Sequence, residues 1–274
     1  MLARQLKEED LPVTPQAQIE AAKILWEHWQ QGLRLPALPT SCRPLTRPEG
    51  YAVQLEMMKV SGRSQFGWKI AATSAAGQAH IGVDGPLAGR LLNGQIDSSG
   101  AEVALGNTQM RVAEPEFAFR MARDLPPRAA PYSVREVLDA VDTLHPAIEV
   151  PDSRYENFAK VGGPQLIADN ACAHRFVLGA ATACNWRKLD LRAHEVHAEV
   201  IGRYAREGIG SNVLAGPDLA LAWLANELSA LGLTLAGGQV VTTGTCMTPL
   251  EIQPGDRVHV DFGPIGHVDA RFVD

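Results

Sequence analysis

The apolar positions of this chain recur at two different spacings, and each spacing predicts its own kind of element. Over residues 15–31, between a Thr-Pro pair and a glycine, apolar side chains return every three or four positions, which predicts an amphipathic helix. Thr46 and Glu49 form the capping-box pattern that begins a second helix, ending near Val60. The two helices predict an amino-terminal helical lobe.

Other segments alternate between apolar and polar residues, as a strand with one buried face does. In the first of these, Phe66, Trp68 and Ile70 point to one side and Lys69 to the other. Strands are also predicted over residues 114–121, 145–150, 239–243, 258–262 and 268–272, and a β-hairpin over residues 189–210. Because helices and strands mix without a regular β-α-β alternation, the sequence predicts an α+β fold rather than a doubly wound sheet.

The strand predicted over residues 114–121 carries two carboxylates on one face. Glu114 and Glu116 are two positions apart, and residues at that spacing share a face in a strand but diverge on a helix. Pro115 disfavours a helix, and its missing N–H indicates an edge strand or the start of a ladder. The residues alone leave two interpretations open: a solvated strand face, or a site where Mg²⁺ or Mn²⁺ relieves the repulsion.

Two further charged residues face away from apolar neighbours in predicted strands. Glu149 lies opposite Ile148 and Val150, so it offers a third isolated carboxylate from a neighbouring element. Lys69 is placed in the same way in the first strand. A lysine in such a position is usually just solvated, so Lys69 is of interest only if it faces the same cavity as the glutamates.

The overall composition of the chain argues against several classes of function. The chain has 274 residues, 46% of them hydrophobic, which is enough for a large core. A net charge of −6 and a pI near 5.8, without a basic stripe, argue against nucleic-acid binding. The amino-terminal decapeptide lacks the apolar core of a signal peptide, and no run approaches membrane-spanning length. The four cysteines lack Cys-x-x-Cys spacing, which predicts reduced thiols in a cytoplasmic protein.

Short motifs occur along the chain in an order and at spacings that together are specific. They are Gly67-Trp68-Lys69-Ile70, Thr73-Ser74, Gly82-Val83-Asp84, Glu114-Pro115-Glu116, Glu149 with Ser153-Arg154, Ala168-Asp169-Asn170-Ala171, Ala222-Trp223-Leu224-Ala225, Thr243-Gly244-Thr245 and Pro254-Gly255-Asp256. Over roughly residues 15–272 the chain resembles the 2-oxopent-4-enoate hydratase (2-hydroxypenta-2,4-dienoate hydratase) and 4-oxalocrotonate decarboxylase group of the fumarylacetoacetate hydrolase superfamily.

The resemblance implies a fold, a metal and an assembly. It implies a rolled mixed β-sheet, with residues 1–100 forming the helical lobe and the first strand of the site and residues 101–274 the catalytic β-roll, or one compact unit. It implies Mg²⁺ or Mn²⁺ held by Glu114, Glu116 and Glu149. It also implies a symmetric homo-oligomer, which could associate with a partner enzyme of the same pathway.

The resemblance further implies roles for individual residues. Lys69 is implied as the active-site lysine. Asp84, which matches a family aspartate, and Asp169 are candidates for positioning a water molecule, against the alternative that they are turn and cap residues. The candidate substrate-binding residues are Ser74, Cys172, Thr243 and Thr245. Two departures make the pocket less polar than in many members: Leu87-Ala88 follow Pro86 where an aspartate is common, and Cys172 replaces a serine.

The activity that the resemblance implies first is a metal-dependent hydratase. It would add water to 2-hydroxypenta-2,4-dienoate in aromatic-compound degradation, through a metal-chelated enolate. The alternative is a decarboxylase that removes CO₂ from 2-oxohex-3-enedioate by the same enolate chemistry. An acylpyruvate carbon–carbon hydrolase is disfavoured because no His-x-x-Glu occurs near residues 73–90. A purely structural subunit is disfavoured because the three glutamates and Lys69 are retained.

Overall fold

The computed structural model describes residues 13–274. Its α-helices are α1 (Pro15–Gln31), α2 (Arg47–Ser61), α3 (Ala75–Ile81), α4 (Val134–Leu138), α5 (Gly163–Ala168) and α6 (Pro217–Ala230). Its strands are β1 (Gln65–Ala71), β2 (Leu87–Leu92), β3 (Ile96–Ser98), β4 (Ala101–Ala104), β5 (Val112–Met121), β6 (Val141–Val150), β7 (Arg175–Leu178), β8 (Glu195–Val200), β9 (Tyr204–Ile209), β10 (Val240–Thr245), β11 (Leu250–Glu251), β12 (Arg257–Asp261) and β13 (His267–Val273). The amino-terminal decapeptide, predicted to lack a signal-peptide core, lies outside the described residues. None of the described helices is both long and apolar enough to cross a bilayer.

The two amino-terminal helices form where their capping residues predicted them. The Thr14 hydroxyl accepts a hydrogen bond from the Ala17 N–H (3.2 Å) at the start of α1. Both hydrogen bonds of the capping box between Thr46 and Glu49 are present at the start of α2. The two helices pack on each other and bury an apolar cluster that includes Leu25, so the amino-terminal segment contributes packing rather than chemistry.

The described strands form two sheets. The larger has the order β2-β1-β10-β5-β6-β7-β3, with β11 also paired to β5, and the smaller has the order β4-β13-β12-β8-β9. The pairs β1–β10, β3–β7 and β4–β13 are parallel, whereas β5 is antiparallel to both β10 and β6. The α+β fold with curled mixed sheets is therefore confirmed, and the main core lies between the sheets and the helices.

The larger sheet extends across position 100 of the chain. Strands β1 and β2 come from before that position, yet β1 pairs with β10 and so joins the strands that follow it. Backbone hydrogen bonds thus connect the two proposed domains directly. The division at residue 100 stays a prediction.

Pro115 lies neither in an edge strand nor at the start of its strand, the two positions that its missing N–H indicated. Strand β5 is interior, between β10 and β6, and the Pro115 carbonyl accepts a hydrogen bond from the Cys246 N–H (3.0 Å). An interior strand accommodates the proline here because the ladder between β10 and β5 is irregular, shifting register between Thr242 and Thr245.

Phe66 does not share a face with Trp68, as the predicted alternation of β1 required. It packs with Leu91 in a small separate cluster, whereas Trp68 belongs to the main core. The register of β1 against β2 shifts between Gln65 and Gly67, and such an irregularity turns the intervening side chain to the other surface of the sheet.

Candidate metal centre and active-site cavity

Three glutamates from neighbouring strands converge in the larger sheet. Glu114 and Glu116 lie on β5, and Glu149 on β6 is the register partner of Glu114. One carboxylate oxygen of each glutamate lies within 4.8 Å of the corresponding oxygens of the other two. Glu116 and Glu149 are fully buried and Glu114 is half-buried. The alternation of each strand and the pairing of the strands together produce this cluster.

The oxygen atoms of the cluster are only partly satisfied by the protein. Oε2 of Glu116 accepts hydrogen bonds from the Thr242 hydroxyl and from the Gly244 N–H (2.7 Å). Oε1 of Glu116 and Oε1 of Glu149 are buried and have no hydrogen-bond partner among residues 13–274. Burying such oxygens without a partner is costly, so these two atoms are free to bind a ligand.

The negative charge of the three carboxylates also favours a bound cation. Burial, together with the negative charge of Glu114, raises the pKa of Glu116 to about 8. Burial raises the pKa of Glu149 well above its ordinary value as well. A divalent cation would remove both effects by supplying positive charge to oxygen ligands of the kind that Mg²⁺ prefers. The three glutamates therefore fit a divalent metal.

Lys69 lies beside the same carboxylates. Its Nζ is 3.1 Å from Oε2 of Glu149 and donates a hydrogen bond to the Ala171 carbonyl (3.0 Å). Burial alone would lower the pKa of Lys69, but the charges of Glu149, Glu114 and Glu116 outweigh burial and raise it. Lys69 is therefore a buried ammonium in contact with the cluster.

An unusual backbone segment holds the Ala171 carbonyl against Lys69. Asn170, Ala171 and Cys172 all have positive φ angles, of 55°, 48° and 62°. The Asn170 side chain accepts a hydrogen bond from the Arg90 N–H (2.6 Å) and donates one to the Arg90 carbonyl (2.7 Å). Left-handed conformations are unfavourable for residues with side chains and persist where surrounding contacts impose them, often at functional sites. The clamp on Arg90 supplies such a contact.

A cavity of about 800 Å³ opens next to the cluster. Its inner wall consists of residues of β1, β5 and β10, including Lys69, Glu114 and Thr245. Its outer wall consists of α3, the single turn Phe158–Lys160 and the loops that contain Met110 and Met247. Ser74 and Cys172, both predicted to bind substrate, also line the cavity.

Three of the predicted catalytic and substrate-binding residues, Asp84, Thr243 and Asp169, are not among the residues that line this cavity. Asp84 is exposed on the turn between α3 and β2 and is not among the lining residues. Thr243 is fully buried, and its hydroxyl donates a hydrogen bond to the Phe117 carbonyl (3.1 Å). Neither placement supports a direct role in binding substrate or positioning water.

Asp169 occupies a structural position. It is fully buried, forms an ion pair with Arg154, and accepts hydrogen bonds from the Ser153 hydroxyl (2.7 Å) and the Arg154 N–H (3.0 Å). Both of its oxygens are occupied by these partners. The side chain of Asp169 therefore holds the Ser153-Arg154 segment in place, which is a structural position and does not favour the role of a base.

The residues that the sequence did not single out are the partners of the predicted ones. Thr242 and the Gly244 N–H hold Glu116, and Asn170 holds the carbonyl that binds Lys69. Only Gly244 gave a sequence signal, because a glycine between two threonines in a strand indicates an irregular backbone.

Substituting Gly244 with alanine is expected to weaken both the fold and metal binding. The φ of Gly244 is 98°, and a Cβ atom there would overlap the Thr73 hydroxyl. Backbone strain of this kind costs about 1–3 kcal/mol, and we expect Tm to fall by roughly 5 °C. Because the Gly244 N–H also holds Glu116, calorimetry should show weaker Mg²⁺ binding.

The control for this variant is Gly100→Ala. Gly100 has a φ of 87°, but a Cβ atom there would meet nothing within 4 Å. This variant should lose some stability and keep its Mg²⁺ affinity. Equal Mg²⁺ affinity in Gly244→Ala and the unmodified protein would contradict the role given to Gly244.

A curled mixed sheet that brings three carboxylates and an ammonium together beside a cavity defines a class of α+β proteins whose site could hold a divalent cation. The chain belongs within that class to the fumarylacetoacetate hydrolase family. The model of the fumarylacetoacetate (FAA) hydrolase C-terminal region matches residues 93–273.

Relatives of known name cover nearly the whole chain. The 2-keto-4-pentenoate hydratase of Paraburkholderia xenovorans (strain LB400) is 30% identical over 263 residues, which are 95% of this chain and 96% of the relative. The 4-oxalocrotonate decarboxylase of Pseudomonas sp. (strain CF600) is 32% identical over 242 residues, 87% of this chain and 90% of the relative. Hydratases and decarboxylases are thus about equally similar to this chain in sequence.

A solved structure resembles the fold closely. The 4-oxalocrotonate decarboxylase from Pseudomonas putida G7, complexed with magnesium and adipate, has a TM-score of 0.85 and 28% sequence identity. The match covers 95% of this chain and 98% of that one. The same enzyme has also been solved with calcium and acetate, with a TM-score of 0.84.

Proposed function

We propose that this chain is a divalent-metal-dependent lyase, and in the first place a hydratase that adds water to 2-hydroxypenta-2,4-dienoate or a related 2-hydroxydienoate. The observation that carries the proposal is the contact between Lys69 and Glu149 within the three-glutamate cluster, at the inner wall of a large cavity. The named hydratase relatives, which align along almost the full chain, support the same reaction class.

The metal would be held by Glu114, Glu116 and Glu149. Their oxygen ligands suit Mg²⁺ and Mn²⁺ alike, and two of the oxygens are buried without a protein partner among the described residues. When bound, the cation would supply positive charge that stabilises the enolate form of a 2-oxo acid. Thr242 and Gly244 fix the orientation of Glu116, which keeps its free oxygen directed away from them.

Lys69 would hold a proton at Nζ beside the reacting carbons. The Ala171 carbonyl and Glu149 fix the position of Nζ, and in the metal-free cluster the carboxylates raise the pKa of Lys69. A fixed, buried ammonium can stabilise negative charge that develops on the substrate and can donate a proton to it. We therefore assign Lys69 the role of general acid.

Ser74, Thr245 and Cys172 would contact the substrate as neutral groups. Ser74 Oγ accepts a hydrogen bond from the Gly77 N–H (3.1 Å), which leaves its own proton available to a carboxylate. The Thr245 hydroxyl donates to the Met247 carbonyl (2.9 Å) and accepts from the Met247 N–H (3.4 Å), which fixes it at the cavity wall. Burial and the charge of Asp169 raise the pKa of Cys172 to about 12, so its thiol is not an activated nucleophile.

Decarboxylation of 2-oxohex-3-enedioate is the second candidate activity. The specific observation in its favour is the TM-score of 0.85 with the magnesium and adipate complex of 4-oxalocrotonate decarboxylase. Loss of CO₂ and addition of water both proceed through negative charge delocalised onto the 2-oxo group, so the same residues could serve either reaction.

The cellular setting is part of the proposal. We place the protein in the cytoplasm on the basis of its cysteine spacing. On the basis of the family resemblance we propose a homo-oligomer that could associate with an enzyme of the same pathway. Its ligand is a small 2-oxo or 2-hydroxydienoate acid rather than a nucleic acid or a membrane, consistent with the net charge of −6.

The test is an ultraviolet assay of the purified protein. We expect Mg²⁺-dependent or Mn²⁺-dependent loss of the dienoate absorbance of 2-hydroxypenta-2,4-dienoate, and slower turnover of 2-oxohex-3-enedioate. Treatment with a chelator should abolish activity and added metal should restore it. Turnover of neither substrate, or turnover that is indifferent to the chelator, would contradict the proposal, and faster CO₂ loss from the dioate would favour the decarboxylase.

A further inference from the structure

The outer wall of the active-site cavity is mainly apolar, and its polar side chains other than His80, such as Ser74, Gln109 and Thr248, are neutral hydroxyl or amide groups. Its apolar residues include Ile81 on α3, Phe158, Met110 and Met247, and Leu87 and Leu166 also line the cavity. The cavity volume of about 800 Å³ is in the range of pockets that enclose drug-sized ligands. An acid of five carbons would therefore leave most of the apolar wall without a contact.

Positive charge is confined to the inner wall. Among the lining residues of the described chain, Lys69 is the only lysine or arginine. Its Nζ is already engaged by Glu149 and by the Ala171 carbonyl, and it lies with the carboxylates of the metal centre. A second carboxylate at the remote end of a substrate would thus lose its water without gaining a cationic partner, which is strongly unfavourable.

One ionisable group lies on the outer wall. His80 is exposed, and its ring packs edge-on against Phe158 with the ring centroids 5.9 Å apart. Its ring N–H can donate a hydrogen bond to a remote carboxylate. The His80→Ala variant, measured beside the unmodified protein, removes that contribution.

From this distribution we propose that the cavity selects 2-hydroxydienoates whose remote end carries an uncharged hydrocarbon chain, and discriminates against dicarboxylates of the same length. The inference rests on the proposed function for the reaction itself, but the preference follows from the walls of the cavity. The hydrocarbon would lie along Ile81 and Phe158, where each buried methylene group adds to binding.

The first experiment compares two ligands that differ only at the remote end. Binding of 2-oxooctanoate and of 2-oxooctanedioate to the Mg²⁺-loaded protein is measured by calorimetry at about pH 8, and we expect the monoacid to bind at least about tenfold more tightly. Equal affinity, or tighter binding of the diacid, would overturn the inference. This result does not depend on catalysis, so it separates the preference from the proposed function.

The second experiment adds a positive charge to the outer wall. Ile81→Arg places a guanidinium on the outer wall and should shift the affinity ratio toward the diacid by about tenfold or more. The matched control is Ile201→Arg, which adds the same group at an exposed position in the turn between β8 and β9 and should leave the ratio unchanged. The inference fails if Ile81→Arg leaves the ratio unchanged or if both variants shift it equally.

Turnover measurements then distinguish the proposed reaction from the proposed substrate preference. If 2-hydroxypenta-2,4-dienoate is hydrated and 2-hydroxyocta-2,4-dienoate is hydrated with a higher kcat/KM, both the function and the preference stand. If neither is hydrated but the monoacid still binds more tightly, the proposed reaction is wrong and the preference stands. If the five-carbon acid is hydrated and the eight-carbon acid is not, the preference is wrong and the reaction stands.

Discussion

Replacing Glu116 with glutamine is expected to abolish metal-dependent turnover while leaving the fold intact. The glutamine carbonyl can still accept hydrogen bonds from Thr242 and Gly244, so the local structure has no reason to rearrange. The variant loses one of three negative charges that would bind the cation. We expect Mg²⁺ binding, measured by calorimetry, to weaken by at least about 100-fold, as much as or more than the loss of a residue that only supports a metal ligand.

The metal-free stability of this variant provides an internal check. Because the pKa of Glu116 is raised to about 8, ionising Glu116 destabilises the metal-free fold as the pH rises from the ordinary carboxyl range through about 8. Glutamine carries no charge, so metal-free Glu116→Gln should be at least as stable as the unmodified protein above that pH. The control is Glu207→Gln, at an exposed carboxylate on β9, which should keep its activity. Full activity in Glu116→Gln would rule out the ligand assignment.

Replacing Lys69 with methionine should separate catalysis from metal binding. Methionine fills a similar volume and carries no charge, so the general acid is lost and we expect kcat/KM to fall by about 10²–10⁴-fold. Lys69 and a cation are attracted to the same carboxylates, so removing the ammonium should leave Mg²⁺ affinity unchanged or increase it. Loss of activity with retained metal binding is the diagnostic result.

Two comparisons make this test decisive. Lys59→Met removes an exposed lysine of α2, which pairs with Glu56, and should change neither turnover nor Mg²⁺ affinity. Lys69→Arg keeps the charge but cannot place it at the same point, so a partial loss of activity is expected. Lys69→Met with normal turnover, or with Mg²⁺ binding lost in parallel with activity, would show that Lys69 is not the general acid.

Local periodicity predicted the faces of the strands but not the partners across the sheet. The alternation around Glu116 placed the two carboxylates of β5 on one face, and they lie there in the structure. The pairing of Glu114 with Glu149 joins strands that are far apart along the chain, and no local pattern specifies it. The alternation had singled out Glu149 as a third isolated carboxylate, and the family resemblance joined it to Glu114 and Glu116.

The threonines of β10 show how a small irregularity in a strand changes which side chains reach the site. The sequence indicated Thr243 and Thr245 as substrate contacts, which would hold for a regular strand with residues two apart on one face. Up to Thr242 the alternation is regular, so Thr242 reaches Glu116 and Thr243 points to the opposite face; the register shift that follows brings Thr245 to the cavity. A displacement of one residue changes the face of every side chain that follows it.

The buried ion pairs could not be predicted from the sequence, for a different reason. Asp169 stands in a motif that suggested catalysis, and nothing nearby in the sequence shows that Arg154 and Ser153 occupy both of its oxygens. Asp84 matched a family aspartate but lies exposed in its turn. Proximity along the chain did not reveal which carboxylates remain free, and that property decides which of them can take part in chemistry.

The two walls of the cavity give the protein separate routes for evolutionary change. The inner wall is built from paired strands, where a substitution at Lys69 or Glu114 would disturb the reaction itself under the proposed mechanism. The outer wall is built from α3, one short turn and loops, so a change at Ile81 or Phe158 leaves the pairing of those strands intact. Descendants of this chain could thus adapt to new carbon sources through a few outer-wall replacements while inheriting the same reaction.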